Sequence, residues 1–343
     1  MATDSGSPLA VAGGAAARPV VLLTEPIDAD AERQLREYAE VRVASGTSVD
    51  VLCAEVSEAA ALIVRSSPLP ADVVAAGTQL RVIGRHGAGT ENVDVAAATA
   101  RGIPVVNTPA ANAGAVAEFV LLVVLTLTRR LPELREVFLG GRLPGGSLPG
   151  AISRGGLLGR GLSGTTLGLL GYGAIGRQVA TLFAAHDVDV IFHDPYVTGA
   201  TPGAQAVTVD ELLRRADVIS VHTPLTPDTA GLLNERTLAR TRPGVVVVNT
   251  ARAAIVDRAA MLSALDSGQV SAYAVDVFSP EPPPTDDELL THPKVFATPH
   301  MAAMTNDAMA RVARCVVDGV LDVLAGRRPA HVVNPEVYGD GGG

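Results

Sequence analysis

The chain has few of the residues that mark disulfide-rich, metal-binding or nucleic-acid-binding proteins. Only two cysteines occur in 343 residues, Cys53 and Cys315, and neither belongs to a Cys-x-x-Cys pattern. This excludes a disulfide framework and a zinc site, and it fits a reducing compartment. Lys294 is the only lysine, the net charge is -9, and there is no basic stripe. We therefore expect no metal site and no nucleic-acid partner.

Long hydrophobic runs are also missing. The longest ones, such as Phe119 to Leu125, are far shorter than a membrane span, so no membrane partner is expected. The first eighteen residues, MATDSGSPLAVAGGAAAR, lack the basic start and the apolar core of a signal peptide. We expect residues 1–18 to be disordered and the protein to be cytoplasmic.

The chain does contain an alternation of strand and helix patterns, which is typical of an α/β fold with parallel sheets. Its 343 residues are too many for one ordinary core and predict two domains. In the first, strands are predicted at residues 19–23, 41–43, 61–64, 80–84 and 103–106, with a helix at Ala29–Tyr38. In the second, strands are predicted at residues 166–170, 188–193, 218–222, 245–249 and 271–275.

Two segments lie between these groups of strands. A helix predicted from Gly114 to Thr128 is apolar on nearly every side, so it needs cover all round. We therefore predict that the helix is buried between domains or between subunits, and its apolar surface favours a homodimer. The Gly/Pro-rich stretch from Gly140 to Gly164 has little periodicity and is predicted to be a long irregular connection. The last helix is predicted over Thr305–Ala325.

A dinucleotide-binding fingerprint opens the second group of strands. The run Gly171-Tyr172-Gly173-Ala174-Ile175-Gly176 fits G-x-G-x-x-G. That pattern is weak alone, but here it follows a predicted strand and begins a helix. Gly171 permits the tight turn, Gly173 the approach of the pyrophosphate, and Gly176 the close packing of helix on strand. The helix N-terminus, at Ala174 and Ile175, then faces the phosphates.

An acidic residue is expected roughly 20 residues after the fingerprint, at the end of the second strand. Asp194 stands there, directly after Val190-Ile191-Phe192-His193. Its carboxylate can bond the adenosine ribose hydroxyls and repels a 2′-phosphate. NAD is therefore the predicted cofactor, in preference to NADP.

Three further segments carry polar residues that a plain sheet does not need: Asn249–Asp257, Ala274–Pro282 and Ala297–His300. The first two begin where buried strands should end, which is where open α/β sheets bind ligands. Hydride transfer to a carbonyl leaves an alkoxide that needs a proton, and histidine is suited to supply it. A neighbouring carboxylate can orient that histidine and stabilise its charged form. An arginine can grip a substrate carboxylate with two parallel hydrogen bonds.

These segments resemble those of the D-isomer-specific 2-hydroxyacid dehydrogenases, in the branch around 3-phosphoglycerate dehydrogenase. The resemblance covers nearly the whole chain, from Val20 to Val337. Four blocks carry it: Arg85–Asp94 with Asn107–Pro109, the fingerprint, the Arg252 segment, and Glu281–His300.

The resemblance implies a reaction in which a hydride moves between nicotinamide and C2 of a small 2-oxo or 2-hydroxy acid. By this comparison Arg252 binds the substrate carboxylate and the C2 oxygen. His300 donates the proton to that oxygen, and Glu281 sustains the protonated form of His300. Cofactor contacts are implied for a further set of residues: Thr223, Pro224, Thr250, Ala251 and Asp276, the last near the nicotinamide carboxamide.

The resemblance also implies the substrate loops and the domain layout. Substrate contacts are implied for Arg65-Ser66 and for Gly87-Ala88-Gly89, and backbone N–H groups of the second loop can cradle a carboxylate. The implied fold is two Rossmann-like, doubly wound parallel-sheet α/β domains. The NAD-binding domain, residues 113–304, is inserted into a discontinuous substrate domain, residues 19–112 and 305–338.

Several positions depart from the family pattern. Ala253 stands where a glycine often follows the arginine, and Met301–Ala303 replaces a glycine-containing triplet after the histidine. Ser67–Leu69 replaces the polar residues found near this loop in phosphoglycerate enzymes, which disfavours phosphoglycerate as the substrate. Glu281, where formate dehydrogenases of the family carry glutamine, disfavours formate. An alternative of a different class stays open: an NADH-sensing binding protein, like the transcriptional corepressors that share this fold.

Overall fold

The computed structural model describes residues 18–197 and 203–339, so the segment expected to be disordered lies outside it except for Arg18. The chain divides into two compact units. Among the described residues, one unit is made of those up to Pro109 together with those from Ala310 onward, and the other lies within Ala110–Met309. Within the described residues, no helix combines the length and the apolar character needed to cross a membrane.

The first unit is built on a five-stranded parallel sheet with the strand order β2-β1-β3-β4-β5. The strands are β1 (Val20–Leu23), β2 (Glu40–Val43), β3 (Ala61–Val64), β4 (Val82–Arg85) and β5 (Val105–Val106). The helices are α1 (Ala29–Tyr38), α2 (Val49–Glu55), α3 (Ala71–Ala76), α4 (Val95–Ala100) and most of α13 (Asn306–Leu324).

Helices cover both faces of this sheet, so alternate side chains of each strand enter different cores. Along β1, Val21 and Leu23 lie in a core with α1 and α13, whereas Leu22 lies in a core with α2, α3 and α4. The helix α13 approaches the sheet closely at Gly84, where a Cβ would lie 2.8 Å from Val316 and from Val320. The predicted strands of this unit are therefore confirmed as a fully covered parallel sheet.

The second unit is built on a seven-stranded parallel sheet with the order β12-β11-β10-β9-β6-β7-β8. The strands are β6 (Thr166–Leu170), β7 (Asp189–His193), β8 (Gln205–Ala206), β9 (Val218–Val221), β10 (Val245–Asn249), β11 (Val270–Val275) and β12 (Val295–Ala297). The helices are α5 (Ala113–Thr128), α6 (Leu131–Leu139), α7 (Leu148–Arg154), α8 (Ala174–Ala184), α9 (Val209–Arg215), α10 (Glu235–Leu238), α11 (Arg258–Ser267) and α12 (Glu288–Thr291).

The chain winds in two directions from the centre of this sheet. It adds β7 and β8 on one side of β6, and then β9, β10, β11 and β12 on the other. The order reverses between β6 and β9, and doubly wound sheets bind ligands at such a point, outside the carboxyl ends of the strands. Val245 and Val247 of β10 lie in a core with α11, while Val246 and Val248 lie in one with α5 and α8.

The segment between the two groups of strands differs from its prediction. The stretch Gly140–Gly164 contains the helix α7, with Pro149 in its first turn and Ala151 buried, so it is not irregular throughout. No sequence pattern indicated α6 or the short strands β8 and β12. Proline and glycine hide the periodicity of α7, and strands of two or three residues are too short to show an alternating pattern.

Candidate functional site

The glycine fingerprint forms a tight turn between β6 and α8. Gly171 has φ +96°, and a Cβ there would lie 2.7–2.8 Å from backbone atoms of His222 and Thr223. A Cβ on Gly176 would lie 2.5 Å from the carbonyl oxygen of Gly171, so the helix packs directly on the turn. Gly173 has no atom within 4 Å of its Cβ position and faces open space. Two glycines thus serve the packing, and the third leaves room for a ligand.

The start of α8 offers unpaired backbone donors beside that space. Gly173 is the N-cap residue and has no side chain to accept from the first N–H groups, which include those of Ala174 and Ile175. A helix N-terminus of this kind binds anions, because the free N–H groups and the positive end of the helix dipole point the same way.

Asp194 is held beside this turn at the end of β7. Its Oδ2 accepts a hydrogen bond from the Tyr172 N–H at 2.8 Å, and its Oδ1 accepts one from the Tyr196 N–H at 2.9 Å. The Tyr172 ring stacks on Phe192 at 3.9 Å between centroids, and the Arg177 guanidinium lies 4.7 Å from the Tyr172 centroid. The sequence pointed to Asp194 but not to the Tyr172 ring, which joins the fingerprint to β7.

Other predicted cofactor residues follow β9, which pairs with β6 on its other side, and β10, which pairs with β9. Thr223 and Pro224 follow β9 after His222, and the Thr223 backbone nitrogen borders Gly171. After β10, the Ala251 N–H donates to Asn249 Oδ1 at 3.0 Å. The Thr250 hydroxyl is buried and has no hydrogen-bond partner. An orphaned buried hydroxyl after β10, in the same sheet as the glycine turn and the open helix N-terminus, fits the polar requirements of a dinucleotide.

Arg252, Glu281 and His300 all belong to the second unit and lie on segments that follow β10, β11 and β12, three neighbouring strands. His300 Nδ1 lies 2.8 Å from Glu281 Oε2. Their side chains are 56% and 39% exposed, so the pair is open to a substrate. Glu281 Oε1 accepts from the Phe278 N–H at 2.8 Å. Arg252 is fixed through its backbone, since its carbonyl accepts from Asn249 Nδ2 at 3.0 Å.

Asp276 binds the chain on both sides of His300. It is only 1% exposed; its Oδ1 accepts from Thr298 Oγ1 at 2.5 Å and from the Met301 N–H at 2.8 Å, and its Oδ2 accepts from the Ala302 N–H at 2.8 Å. His300 itself has φ +53°, a left-handed conformation that costs energy for a residue with a Cβ. The Asp276 bonds therefore hold a strained turn, a function that the sequence did not indicate.

The two predicted substrate loops lie in the first unit, after the adjacent strands β3 and β4. In the loop after β4, Gly87 has φ +146°, and Asn107 Nδ2 donates to the Ala88 carbonyl at 2.7 Å. Gly89 follows two residues further along, in the same loop. These contacts hold the loop Gly87–Gly89 in a defined conformation.

The loop after β3 is already bonded to a carboxylate of this chain. Glu25 accepts from the Arg65 N–H at 3.3 Å, from the Ser66 N–H at 3.1 Å and from the Ser66 hydroxyl at 2.5 Å. Burial alone would raise the pKa of Glu25, but hydrogen bonds from Ser66, Thr24 and Arg65 hold that pKa below its usual value. The sequence did not point to Glu25, and it engages the polar groups that Ser66 was expected to offer to a substrate.

Comparison with known proteins agrees with this geometry. A family model described as D-isomer specific 2-hydroxyacid dehydrogenase, NAD binding domain, matches residues 121–302, more than half of the chain. The D-3-phosphoglycerate dehydrogenases of Mycobacterium tuberculosis and Homo sapiens are 40% and 37% identical over 324 and 321 residues, 92% of this chain in each case. They are longer proteins, of which the chain spans 59% and 58%.

Solved structures share the fold over nearly the full length of each neighbour. The TT0316 protein of Thermus thermophilus superposes with a TM-score of 0.83 at 34% identity, covering 92% of this chain and 99% of that one. A glyoxylate reductase from Paecilomyes thermophila gives 0.80 at 27% identity, with 94% and 100% covered. The chain belongs to the D-isomer-specific 2-hydroxyacid dehydrogenase family and contains its NAD-binding domain.

Proposed function

We propose that the protein is an NAD-dependent D-2-hydroxyacid dehydrogenase, or 2-oxoacid reductase in the reverse direction. The observation that carries this proposal is the Glu281–His300 pair, 2.8 Å apart and accessible, on segments next to the one that carries Arg252. Open α/β sheets bind ligands outside the carboxyl ends of their strands, and the three segments begin at those ends. The proposed acid–base pair and the proposed carboxylate-binding arginine are therefore where a substrate is expected.

The proposed chemistry divides the work among three side chains. The second unit would hold the nicotinamide, which would supply or accept the hydride. His300, held through Nδ1 by Glu281, donates a proton from Nε2 to the substrate oxygen as the C2 carbonyl becomes an alcohol. Glu281 fixes the tautomer and stabilises the imidazolium. Arg252 binds the substrate carboxylate through parallel N–H donors. In the oxidative direction His300 takes the proton back.

For the cofactor, we propose that the phosphates meet the N–H groups of the Gly171–Gly176 turn, and that Asp194 bonds the adenosine ribose hydroxyls. The open space at Gly173 and the orphaned Thr250 hydroxyl support this placement. Thr223, Pro224, Ala251 and Asp276 stay predicted contacts. The loops Arg65-Ser66 and Gly87–Gly89 stay predicted substrate contacts.

The substrate is proposed to be a small 2-oxo acid or the matching 2-hydroxy acid. The test is oxidation of NADH at 340 nm with a panel containing glyoxylate, pyruvate, hydroxypyruvate, its phosphorylated form and branched 2-oxo acids. Because the curated relatives are phosphoglycerate dehydrogenases, the phosphorylated acid decides whether the Ser67–Leu69 departure changes specificity. NADH binding without turnover of any of these acids would contradict the proposal and favour the NADH-sensing alternative.

A homodimer is proposed from the surface of the second unit. Six large apolar side chains between α5 and residue 158 are 50–65% exposed: Leu122, Leu131, Phe138, Leu139, Leu148 and Leu158. Apolar exposure concentrated in one segment is typical of an interface with a second subunit. Light scattering should give twice the chain mass of 35.1 kDa, and a monomer mass would contradict the dimer. A cytoplasmic location stays a prediction.

A further inference from the structure

One ion pair joins the two segments that carry Arg252 and Glu281. The turn after Arg252 leads into α11, which begins at Arg258. The loop after Glu281 leads into α12, which is capped by Asp287. Arg258 Nη1 lies 2.8 Å from Asp287 Oδ1 and 2.7 Å from Oδ2. The pair therefore connects the chain just downstream of the proposed carboxylate-binding residue with the chain just downstream of the proposed partner of His300.

Asp287 is held in place by several hydrogen bonds. Its side chain is 13% exposed, against 46% for Arg258. Its Oδ1 also accepts from the N–H groups of Leu289 at 2.9 Å and Leu290 at 3.1 Å. Burial alone would raise the pKa of Asp287, but hydrogen bonds from Arg258 and from these backbone N–H groups hold that pKa below its usual value. The Asp287 carboxyl is therefore ionised at neutral pH, where it faces the Arg258 guanidinium.

Apolar packing and the ion pair both connect the two segments. Ile255, Val256 and Leu289 share one buried core, and Phe278 packs against it. A cavity of about 150 Å³ has Ala253 and Ala254 in one part of its wall and Phe278 in another, with Arg258 and Asp287 also lining it. Groups that line the cavity have fewer dispersion contacts there. Beside the apolar packing, one nitrogen of Arg258 bonds both carboxylate oxygens of Asp287 and so ties the two segments directly.

A shift of the loop would reach His300 through Glu281. Glu281 uses one carboxylate oxygen to accept from the Phe278 N–H and the other to bind His300. If the loop moves away from α11, these short contacts cannot both be kept. Reaction rates depend steeply on such placement, since an error of about 1 Å can cost two orders of magnitude.

We propose that Arg258 and Asp287 are positioning residues, whose ion pair sets the place of Glu281 relative to Arg252 and thereby the orientation of the His300 ring. This inference rests on the proposed function. In this assignment neither residue touches the substrate or the cofactor. Both act only through the loops that they tie together.

The test compares R258Q and D287N with R258K and with E211Q. Asparagine caps a helix as well as aspartate does, so D287N removes the ion pair and keeps the cap of α12. E211Q is the matched control, because it breaks the 2.7 Å Arg215–Glu211 pair on α9 of the same unit. R258K keeps the positive charge that binds Asp287.

We expect R258Q and D287N to lower kcat for reduction about tenfold, with the KM for NADH unchanged. R258K should recover most of the rate, and E211Q should behave as the wild type.

Amide hydrogen exchange at Phe278 is a second measurement, which does not depend on turnover. It follows the position of Glu281, because the Phe278 N–H donates to the Glu281 carboxylate. This N–H should exchange faster in R258Q and D287N, and not in E211Q. Unchanged Phe278 exchange in both variants would overturn the inference, whatever their kcat, since the effect would then not pass through Glu281. If the wild-type protein turns over no 2-oxo acid, the proposed function fails, and the exchange result alone decides whether the ion pair positions Glu281.

Discussion

Among single residues, His300 and Glu281 share one proton transfer in the proposed reaction but have different parts in it. His300→Gln removes the proton donor, so we expect kcat/KM for the reduction to fall about 10²–10⁴-fold. Glu281→Gln keeps the size of the side chain and removes the charge that stabilises the imidazolium, so its loss should be smaller, about 10-fold to 10²-fold. Steady-state kinetics measures both losses.

NADH titration by fluorescence provides the necessary comparison, since neither variant should change the affinity for the cofactor. His186→Gln is the matched control, because His186 is an exposed histidine just after α8 in the same unit. Retention of the wild-type rate by His300→Gln would contradict the assignment of the proton donor.

Asp194 is the residue proposed to decide between the two nicotinamide cofactors. Its carboxylate is fixed by the Tyr172 and Tyr196 N–H groups. In the proposed complex it bonds the ribose hydroxyls and repels a 2′-phosphate. We expect Asp194→Ala to raise the KM for NADH about tenfold or more and to lower the preference for NADH over NADPH. Asp189→Ala, at the exposed start of the same strand, should change neither value. An unchanged NADH/NADPH preference in Asp194→Ala would contradict this role.

Functional residues that stand at a fixed distance from a motif could be predicted from the sequence. Residues whose contacts form only in the folded chain could not. Asp194 follows the fingerprint at the expected interval, so its place beside the turn was predictable. The support that Asp276 gives to His300 depends on backbone N–H groups 25 and 26 residues away. No local pattern encodes such a contact, so Asp276 was assigned to the cofactor only by resemblance.

At the scale of elements, length and burial decided which predictions succeeded. The strand β10 is valine at four successive positions and buried throughout, so its bounds were predicted to the residue. The helix α7 buries only Ala151, and so carries no apolar stripe that a sequence could show. The strand β8 has two exposed residues, and only its neighbour β7 makes it a strand.

Two glycines of the turn into α8 allow the effect of packing to be separated from the effect of cofactor binding. A methyl group on Gly176 would lie 2.5 Å from the Gly171 carbonyl, so we expect Gly176→Ala to lower the free energy of unfolding by about 1–3 kcal/mol. A methyl group on Gly173 meets no protein atom. Gly173→Ala should therefore cost about 1 kcal/mol or less.

For the affinity for NADH we expect the opposite order, with the larger loss in Gly173→Ala. In Gly173→Ala the methyl group occupies the space proposed for the pyrophosphate, so the affinity for NADH should fall about tenfold or more in a protein that is otherwise stable. Denaturant unfolding and NADH titration of both variants separate the two effects. Equal stability loss in the two, or full NADH affinity in Gly173→Ala, would contradict this division.

At the scale of the whole molecule, long-range partners were beyond the reach of sequence patterns. The alternation of strands and helices predicted both sheets, because the apolar residues of each strand indicate that the strand is buried. The occupation of the Arg65-Ser66 loop by Glu25 joins residues 40 and 41 positions apart, on the ends of two paired strands. Only the sheet order brings them together, and that order is fixed by the packing of all the helices.

The two units share a sensitivity to acid that arises from buried histidines. In the first unit, His86 is 7% exposed, and burial with the nearby Arg65 and Arg85 charges lowers its pKa from 6.5 to about 4, against a smaller opposing effect of Glu25. In the second unit, burial lowers the pKa of His222 to about 4, and its Nε2 lies 2.9 Å from the Ser220 hydroxyl. Neither ring takes up a proton in the folded state until the pH is well below the pKa of an unfolded histidine.

Between about pH 6.5 and pH 4 the unfolded chain therefore binds protons that the folded units do not, and the free energy of unfolding falls as the pH falls. This contribution is fully present above the unfolded pKa, and each histidine should lose about 2 kcal/mol of it between pH 7 and pH 5. His86→Gln removes one titrating group, so the difference in unfolding free energy between these two pH values should shrink by that amount. Denaturant unfolding at both pH values measures it, with the exposed His331→Gln of the same unit as the control. An unchanged difference in His86→Gln would show that the ring accepts its proton in the folded state, and the buried, arginine-flanked environment assigned to it would then be wrong.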